Sequence, residues 1–164
     1  MFELQTDRLQ FRQWLPSDYE AIQTFFSDEA LARFVGGVKN PESAWRLLAT
    51  YVGHYELMGF SYPAIVEKAT NQLIGTVGLW KSVPWPEHEL GYWLLPQAQG
   101  KGYGLEAGNA VRDFAQQTGQ FPSLVSYIHP DNTPSIKLAK RLGAQFDKTI
   151  ELLEFGPHQV YRYW

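Results

Sequence analysis

The spacing of apolar side chains changes along this chain, and each spacing predicts a type of element. Residues 8–15 alternate apolar and polar side chains, as a half-buried strand does. Residues 105–115 carry apolar or small side chains at helical intervals, as one buried face of a helix does. Such patterns predict strands over 8–15, 61–67, 73–80, 87–95, 123–129, 145–154 and 158–164. They predict helices from 17–20 to about 27, over 41–58, from 104 to about 117 and from 133–134 to 143.

Local capping signals support these helix boundaries. The motif Ser17-Asp18-Tyr19-Glu20 is a capping box at the start of the first helix. Asn40 and Pro41 supply an N-cap and a first-turn proline for the second helix, and Gly59 supplies its C-terminal stop. The element order is strand, two helices, three strands, helix, strand, helix, two strands. This order indicates an α/β fold with a mixed sheet, and we expect one domain over residues 1–164 because no linker divides the chain.

Composition narrows the class of protein. The 164 residues are 45% hydrophobic and 19% charged with a net charge of −3, which suits a folded core and argues against broad nucleic-acid binding. No cysteine is present, so thiolate catalysis, disulfides and cysteine zinc sites are excluded. No stretch approaches the roughly 18 consecutive apolar residues of a membrane helix. The start of the chain lacks the pattern of a signal peptide, so we expect a cytoplasmic protein without membrane contact.

A glycine-rich loop, Gln99-Gly100-Lys101-Gly102-Tyr103-Gly104, lies between a predicted strand and a predicted helix. Glycines allow a tight turn, and the N–H groups and dipole at a helix start favour an anion such as a pyrophosphate. A simple tight turn is the alternative. Gly102, Gly104 and Ala107 also match a dinucleotide fingerprint, but that motif needs an acid about 20 residues later and residues 121–127 contain none. A Walker loop is excluded because Gly102 follows Lys101.

The loop fits the pattern Gln/Arg-x-x-Gly-x-Gly/Ala, which is similar to the pyrophosphate loop of the GNAT acetyltransferase superfamily. The chain resembles more closely the branch typified by the RimJ and RimL ribosomal-protein acetyltransferases. The resemblance covers nearly the whole chain, in the family's order and spacing. It rests on Thr6-Asp7-Arg8-Leu9-Gln10-Phe11-Arg12, Leu73-Ile74-Gly75-Thr76-Val77-Gly78-Leu79, Glu89-Leu90-Gly91-Tyr92-Trp93-Leu94-Leu95-Pro96 with Glu106-Ala107, and Asn132-Thr133-Pro134-Ser135 with Lys140-Arg141-Leu142-Gly143-Ala144.

The resemblance implies a fold, a reaction and a cosubstrate site. The fold is a mixed, mostly antiparallel twisted sheet flanked by helices, with splayed central strands. The reaction moves acetyl from acetyl-CoA to a primary amine, on a protein or peptide N-terminus or a small molecule, by direct attack on the thioester. The resemblance implies that pantetheine pairs with the backbone of Trp93, Leu94 and Leu95, that pyrophosphate binds the amides of residues 99–104, and that Asn132 bonds the pantetheine arm. Lys137, with Lys140 and Arg141, is a candidate for the adenosine phosphate or a solvated helix face.

The resemblance also offers catalytic candidates. Ser135 stands where this branch carries a serine that protonates the departing thiolate; the alternative is a first-turn serine that only satisfies the helix. Glu89 is the first candidate for the general base, against a solvent-facing carboxylate. His88 is second, and strand alternation puts it on the opposite face from Glu89, so only one of them faces the substrate. His129 is third, with a surface histidine as the alternative.

The acceptor itself is left open by the sequence. Residues 34–38 lie between the two early helices, where such proteins build acceptor specificity, and Trp85 lies just before the strand of Glu89. A homodimer is common among similar proteins. No metal site is expected, because residues 87–89 form the one tight cluster of ligand-type side chains and adjacent strand residues face opposite ways. The remaining alternatives are a non-catalytic acetyl-CoA-binding module and a dinucleotide-binding oxidoreductase.

Overall fold

The structure is a computed structural model that describes all residues from 1 to 164. The strands are β1 (Leu9–Arg12), β2 (Ala64–Glu67), β3 (Leu73–Trp80), β4 (Glu89–Leu94), β5 (Val125–Ile128), β6 (Gln145–Glu151) and β7 (Pro157–Arg162). The helices are α1 (Tyr19–Ser27), α2 (Glu29–Ala32), α3 (Pro41–Met58), α4 (Tyr103–Thr118) and α5 (Thr133–Arg141). No helix has both the length and the apolar character needed to cross a membrane.

The seven strands form one sheet in the order β1-β2-β3-β4-β5-β7-β6. Every neighbouring pair is antiparallel except β4 and β5, which run parallel. The β4–β5 pair has a single register contact, between Glu89 and Val125, and the two strands diverge beyond it. The predicted α/β fold, with a mostly antiparallel sheet that is splayed at its centre, is therefore confirmed.

Each face of the sheet buries its own apolar cluster. On one face, Leu90 of β4 packs in a cluster with Ala107 and Val111 of α4. On the other face, Trp93 of β4 packs in a cluster with residues of α1 and α3, among them Phe26. Because side chains alternate across a strand, β4 points Glu89, Gly91 and Trp93 toward α1 and α3 and the intervening residues toward α4. One strand thus separates two differently built sides of the molecule.

The structure corrects several predicted boundaries near the start of the chain. The strand ends at Arg12 rather than at residue 15, and a short 3₁₀ turn over Pro16–Asp18 precedes α1. The predicted capping box is wrong, because the N-cap of α1 is Asp18 rather than Ser17 and no side chain caps the helix. The Asp18 carboxylate instead accepts hydrogen bonds from the Leu15 amide (2.8 Å) and from Arg12 (2.7 and 2.9 Å).

Other differences follow from contacts between elements. Strand β2 begins at Ala64 rather than at residue 61; the Ser61 hydroxyl donates to the Tyr51 carbonyl (2.7 Å), and its carbonyl accepts from the Leu79 amide (3.1 Å). The segment 61–63 then crosses directly over Gly78, where an added Cβ would lie 2.3 Å from the Ser61 carbonyl. The short helix α2 was not predicted, and β6 ends at Glu151 rather than at residue 154. The caps of α3 are confirmed: Asn40 accepts from the Ser43 amide (2.8 Å), and Gly59 has φ +78°.

Candidate active site

The gap between β4 and β5 begins directly after their one register contact. The Val125 amide donates to the His88 carbonyl (3.0 Å), and the Ser126 hydroxyl donates to the Leu90 carbonyl (2.5 Å). Because backbone groups alternate sides along a strand, the next residues of β4 whose groups face the gap are Tyr92 and Leu94. No strand pairs with them there, since β5 has diverged. The gap therefore offers unpaired peptide groups to a ligand of extended, amide-containing shape.

This register changes which backbone groups are available. The Leu95 amide donates to the Ile74 carbonyl (2.9 Å), and Trp93 lies opposite Thr76 of β3, so both residues bond away from the gap. The predicted use of the Trp93 and Leu95 backbone is therefore contradicted by strand alternation, while Leu94 keeps its place. The Leu94 carbonyl accepts from the Gln99 side chain (3.0 Å), which leaves the Leu94 amide facing the gap. Tyr92 is the other residue of β4 whose backbone faces the gap, and the sequence did not indicate it.

The glycine-rich loop is built as the sequence predicts. Gly100 and Gly102 have φ of +74° and +82°, a conformation that L side chains rarely adopt. Gly102 is the N-cap of α4, so the first amides of a 16-residue helix point outward without helical partners. Gly104 packs closely on α5, because an added Cβ would lie 3.1 Å from the Leu138 side chain. A diphosphate suits this set of amides and the positive end of the helix dipole.

Two segments far apart in sequence hold the loop in place. Arg8 donates to the Glu106 carboxylate through Nε (2.7 Å) and to the Lys101 carbonyl through Nη1 (3.0 Å). The Thr6 hydroxyl and the Arg8 amide also donate to Glu106. Tyr103 lies beneath the Arg8 guanidinium (4.5 Å to the ring centre), and its hydroxyl donates to Glu67. Tyr103 therefore contributes its amide to the anion site, while its side chain anchors the loop to β2.

The start of α5 forms the opposite wall of the gap. The Asn132 side-chain oxygen accepts from the Ser135 amide (3.3 Å), so Asn132 is the N-cap of α5 and its NH₂ group stays free for a ligand. The half-buried Ser135 lines the cleft, and its carbonyl accepts from the Tyr92 hydroxyl (2.9 Å). That bond ties α5 to the splayed part of β4. Lys137 is exposed on α5 and does not line the cleft.

Glu89 is a buried carboxylate in the cleft, with a relative exposure of 9%. Burial raises the pKa of Glu89 to about 7, against the opposing effect of hydrogen bonds from Trp85, Tyr62 and the Tyr127 backbone. The Trp85 indole N–H lies 2.8 Å from its Oε2. None of the ion pairs of the molecule includes Glu89. A carboxyl group with a pKa near neutrality and no cationic partner has the properties of a general base.

The two histidine candidates have different positions. His88 lies on the other face of β4, with its ring 5.2 Å from Phe121 and 5.9 Å from Phe60, and it does not line the cleft. Burial lowers the pKa of His88. This position argues against His88 as the base. His129 does line the cleft, where its Nδ1 accepts from the Asp131 amide (3.2 Å) and its ring lies 5.2 Å from Phe34.

An aromatic wall, formed by the rings of Tyr51, Tyr62 and Trp80, completes the cleft on the side of α3. Tyr62 stacks on Trp80 (5.6 Å, 11°) and meets Tyr51 edge-on (5.5 Å). The Tyr62 hydroxyl lies over Gly91, where an added Cβ would come within 2.3 Å of its oxygen. Sequence reasoning missed Tyr51 and Tyr62 in this wall; the signal for Tyr62 was the glycine between Leu90 and Tyr92, which leaves room for a side chain from outside the strand.

These parts enclose one continuous cleft of about 450 Å³. It reaches from Asn132 and Ser135 at the gap, past Glu89 and Trp93, to the aromatic wall. Two buried hydroxyls in it, those of Thr76 and Tyr127, have no partner within the protein. Of the predicted acceptor residues, Trp85 and residues 34–36 line the same cleft. The structure thus gathers Glu89, Ser135, Asn132 and Trp93 in one place and leaves His88 and Lys137 outside it.

A splayed mixed sheet, with a glycine-rich helix start directly after the splayed strand, defines the class of acyltransferases that take their acyl group from coenzyme A. The family model described as "Acetyltransferase (GNAT) domain" matches residues 8–145. The chain therefore belongs to the GNAT acetyltransferase family and is an acyltransferase of the acetyl-CoA-dependent kind. The dinucleotide reading fails on the fold, because that motif requires an open parallel sheet and β4–β5 is the one parallel pair here.

Known proteins agree with this assignment. An acetyltransferase of Agrobacterium tumefaciens strain C58 has a crystal structure with TM-score 0.89 and 32% identity, covering 98% of this chain and 93% of that one. The N-acetyltransferase YoaA of Bacillus subtilis, described as uncharacterized, is 28% identical over 146 residues, which are 87% of this chain and 82% of YoaA. RimL, a ribosomal L7/L12 alpha-N-protein acetyltransferase solved with coenzyme A, shares the fold at TM-score 0.78 and 17% identity, covering 96% and 94% of the two chains.

Proposed function

We propose that this protein transfers the acetyl group of acetyl-CoA to a primary amine by direct attack of the amine on the thioester. The observation that carries the proposal is the splay between β4 and β5. It opens one cleft onto Glu89 from one side and onto Ser135 and Asn132 from the other. The proposed general base for the amine and the proposed proton donor for the leaving thiol thus lie beside the same unpaired part of β4.

The chain's own groups suit acetyl-CoA. The outward amides at the start of α4 bind the diphosphate, with Gly100 and Gly102 in the conformation that exposes them. The backbone of Tyr92 and Leu94 pairs with the pantetheine amides, and the free NH₂ group of Asn132 donates to the same arm. Acetyl-CoA supplies an activated acetyl thioester. Lys101 adds positive charge beside the diphosphate.

Glu89 is the proposed general base. Most amines are protonated at neutral pH, and only the neutral amine attacks a carbonyl carbon. A carboxyl group whose burial raises its pKa to about 7 is partly ionised at that pH and accepts a proton readily. Glu89 therefore removes the proton from the acceptor ammonium, directly or through one water. The Trp85 indole fixes the orientation of its carboxylate.

Ser135 is the proposed proton donor to the thiolate that leaves. Two hydrogen bonds hold the backbone of Ser135: its amide donates to the Asn132 side chain, and its carbonyl accepts from the Tyr92 hydroxyl. These bonds fix the position from which the Ser135 side chain extends. The Ser135 side chain lines the cleft beside the Tyr92 hydroxyl. The hydroxyl gives its proton to the sulfur as the C–S bond breaks, and it regains a proton from the attacking nitrogen, which must lose one to become the amide.

Two measurements on the full chain test this proposal. Thermal stabilisation by acetyl-CoA is expected, without stabilisation by NAD, because the loop suits a diphosphate but no acid holds a dinucleotide ribose. Thiol release in the presence of amines is expected next. Stabilisation by acetyl-CoA without thiol release from any amine would favour a non-catalytic binding module and refute the proposed reaction. Stabilisation by NAD alone would refute the cosubstrate.

A further inference from the structure

We infer that the acceptor is a small primary amine carried on a compact aromatic body, an arylalkylamine, rather than an amino acid, a polyamine or a peptide N-terminus. This inference rests on the proposed acetyl transfer and specifies its substrate. It follows from three properties of the acceptor side of the cleft. Its walls are aromatic, it contains one buried carboxylate, and it offers few partners to an anionic group or to a peptide backbone.

The walls are aromatic and fixed in place. Beyond the aromatic wall of Tyr51, Tyr62 and Trp80, the cleft is lined by Trp85 and Trp93. The wall is held from behind, because the Trp93 indole donates to the Tyr51 hydroxyl (3.2 Å) and the Trp14 indole donates to the Tyr62 carbonyl (2.7 Å). Rigid rings at these spacings offer edge and face contacts to another ring, which aromatic pairs prefer.

The acceptor side of the cleft contains one buried negative group that has no cationic partner. Glu89 is buried and takes part in no ion pair, although its neighbours Trp85 and Tyr62 donate hydrogen bonds to it. An ammonium group supplies the missing cation, and the faces of the surrounding rings attract it as well. The cleft holds one further carboxylate, that of Glu154, which is exposed. One buried acid suits one ammonium group, so the further charges of a polyamine would have no carboxylate beside them except the exposed Glu154.

Acceptors with an anionic group find little to hold it. Lys39 is the one lysine or arginine that lines the cleft. Its ammonium group donates to the Gly36 carbonyl (3.2 Å), and burial lowers its pKa. The carboxylate of an amino acid would therefore meet Glu89 and aromatic rings, with Lys39 as the single lysine or arginine that could offset its desolvation.

A peptide N-terminus also lacks partners. An extended peptide gains affinity by adding to an unpaired strand edge. The strands on this side are β3, which is paired with both β2 and β4, and β4, whose one free edge faces the gap. The edge strands of the sheet are β1 and β6. The acceptor side thus offers a peptide no unpaired strand edge, in a cleft whose total volume of about 450 Å³ lies in the small-molecule range.

The test compares four acceptors with the wild-type protein by thiol release at saturating acetyl-CoA. 2-Phenylethylamine has the ring and one amine, L-phenylalanine adds a carboxylate, spermidine has amines without a ring, and a hexapeptide that begins with alanine represents an N-terminus. We expect kcat/KM for 2-phenylethylamine to exceed each of the others by about tenfold or more. Equal or better turnover of spermidine, phenylalanine or the peptide would overturn the inference and leave acetyl transfer intact. No thiol release from any of the four would also overturn the inference, whereas acetyl transfer itself is refuted only when a wider panel of amines releases no thiol.

A matched pair of variants then locates the recognition. Trp80→Leu removes one ring of the aromatic wall, and we expect KM for 2-phenylethylamine to rise about tenfold with KM for acetyl-CoA unchanged. Trp45→Leu removes a tryptophan that is 46% exposed on α3 and lies outside the cleft, so both constants should stay unchanged. An unchanged KM for the amine in Trp80→Leu would refute the aromatic wall as the binding surface.

Discussion

The two ends of the cleft are built from different parts of the polypeptide. At the proposed coenzyme end, most binding groups are peptide amides and carbonyls, of the loop 99–104 and of the splayed part of β4, and the Asn132 side chain adds to them. At the proposed acceptor end, the main groups are side chains, of Glu89 and of the aromatic wall, which come from α3, β3, β4 and the segment before β2. The first set comes mostly from one stretch of the sequence, and the second is assembled from distant segments.

This difference separates two kinds of specificity. A backbone site depends on conformation, so the glycines and the contacts that anchor the loop determine whether it binds. A side-chain site depends on which residues meet, so single substitutions change what it binds without changing the fold. The two ends should therefore respond independently to mutation: loop variants should change KM for acetyl-CoA, and wall variants should change KM for the amine.

The largest effect is expected for Glu89→Gln. Without the base, kcat at pH 7 should fall by about 100-fold or more, while KM for acetyl-CoA stays unchanged. The wild-type rate should rise with pH through about 7, because the active form of Glu89 is the ionised one and burial raises its pKa to about 7. That rise should be absent in Glu89→Gln. The neighbouring Glu87→Gln is the control, since Glu87 pairs with Arg162 (2.8 Å) outside the cleft; comparable losses in both variants would contradict the role of Glu89.

The same residue should also shape the pH dependence of stability. The pKa of Glu89 is raised from 4.5 to about 7 in the folded state, so the folded chain keeps a proton that the unfolded chain loses. Its contribution to the free energy of unfolding therefore falls as pH rises from about 4.5 to about 7. Relative to wild type, Glu89→Gln should gain up to roughly 3 kcal/mol between these pH values. Urea unfolding at pH 5 and pH 8 measures the gain, and parallel profiles would show that Glu89 titrates normally.

To weaken coenzyme binding, a substitution must change the backbone conformation of the loop 99–104. Gly102→Val places a β-branched side chain at φ +82°, and we expect KM for acetyl-CoA to rise about tenfold or more because the loop amides turn away. Gly119→Val imposes similar strain at φ +64° on the far end of α4, with no atom within 4 Å of the new Cβ. Its stability loss should be comparable, with KM for acetyl-CoA unchanged. A raised KM in both variants would attribute the effect to α4 as a whole.

The contact between Tyr62 and Gly91 offers a smaller and more local test. Gly91→Ala puts a Cβ within 2.3 Å of the Tyr62 hydroxyl, and overpacking of this kind costs about 1–3 kcal/mol of stability. Tyr62→Phe removes that oxygen, so the double variant should lose less than the sum of the two single losses, by about 0.5 kcal/mol or more. Gly53→Ala on α3, where no atom lies within 4 Å, should be neutral or slightly stabilising. Strict additivity would show that the two residues do not touch.

The smallest effect is expected at the loop anchor. Arg8 is 47% exposed and links Glu106 to the Lys101 carbonyl, so Arg8→Ala should raise KM for acetyl-CoA about two- to fivefold. Arg46→Ala removes a pair with Glu42 in which both side chains are more than 70% exposed, and KM should not change. Coenzyme titration by calorimetry compares the two, and equal affinities would mean that the loop holds its shape without Arg8.

Much of the fold was predictable because its signals are local. The spacing of apolar residues located all seven strands and the helices α1, α3, α4 and α5, and Asn40 and Gly59 marked the ends of α3. The failures occur where a distant contact replaced a local one. The N-cap of α1 is Asp18 rather than Ser17, and the Asp18 carboxylate pairs with Arg12. The Ser61 hydroxyl bonds the Tyr51 carbonyl, and β2 begins three residues later than predicted.

The candidate site divides in the same way. The anion loop, Asn132 and Ser135 follow from short motifs, and the structure places Asn132 and Ser135 at the gap between β4 and β5. The sequence predicted that the backbone of Trp93 and Leu95 faces the gap, whereas the structure turns both toward β3. The sequence of one strand does not show which of its residues bond to which neighbouring strand. The choice between Glu89 and His88 also required the tertiary structure. Alternation along the strand predicts that the two side chains lie on opposite faces, but not which face borders the cleft.

The sequence by itself determined the order of elements, the glycine loop at the start of α4 and the family, because each depends on residues that are near neighbours in the chain. The tertiary structure alone decided the burial of Glu89, the aromatic wall and the position of the Tyr62 hydroxyl over Gly91. The physical reason is that burial and ring contacts join side chains from separate strands and helices. A pKa near 7 at Glu89 exists only when those elements exclude water around it.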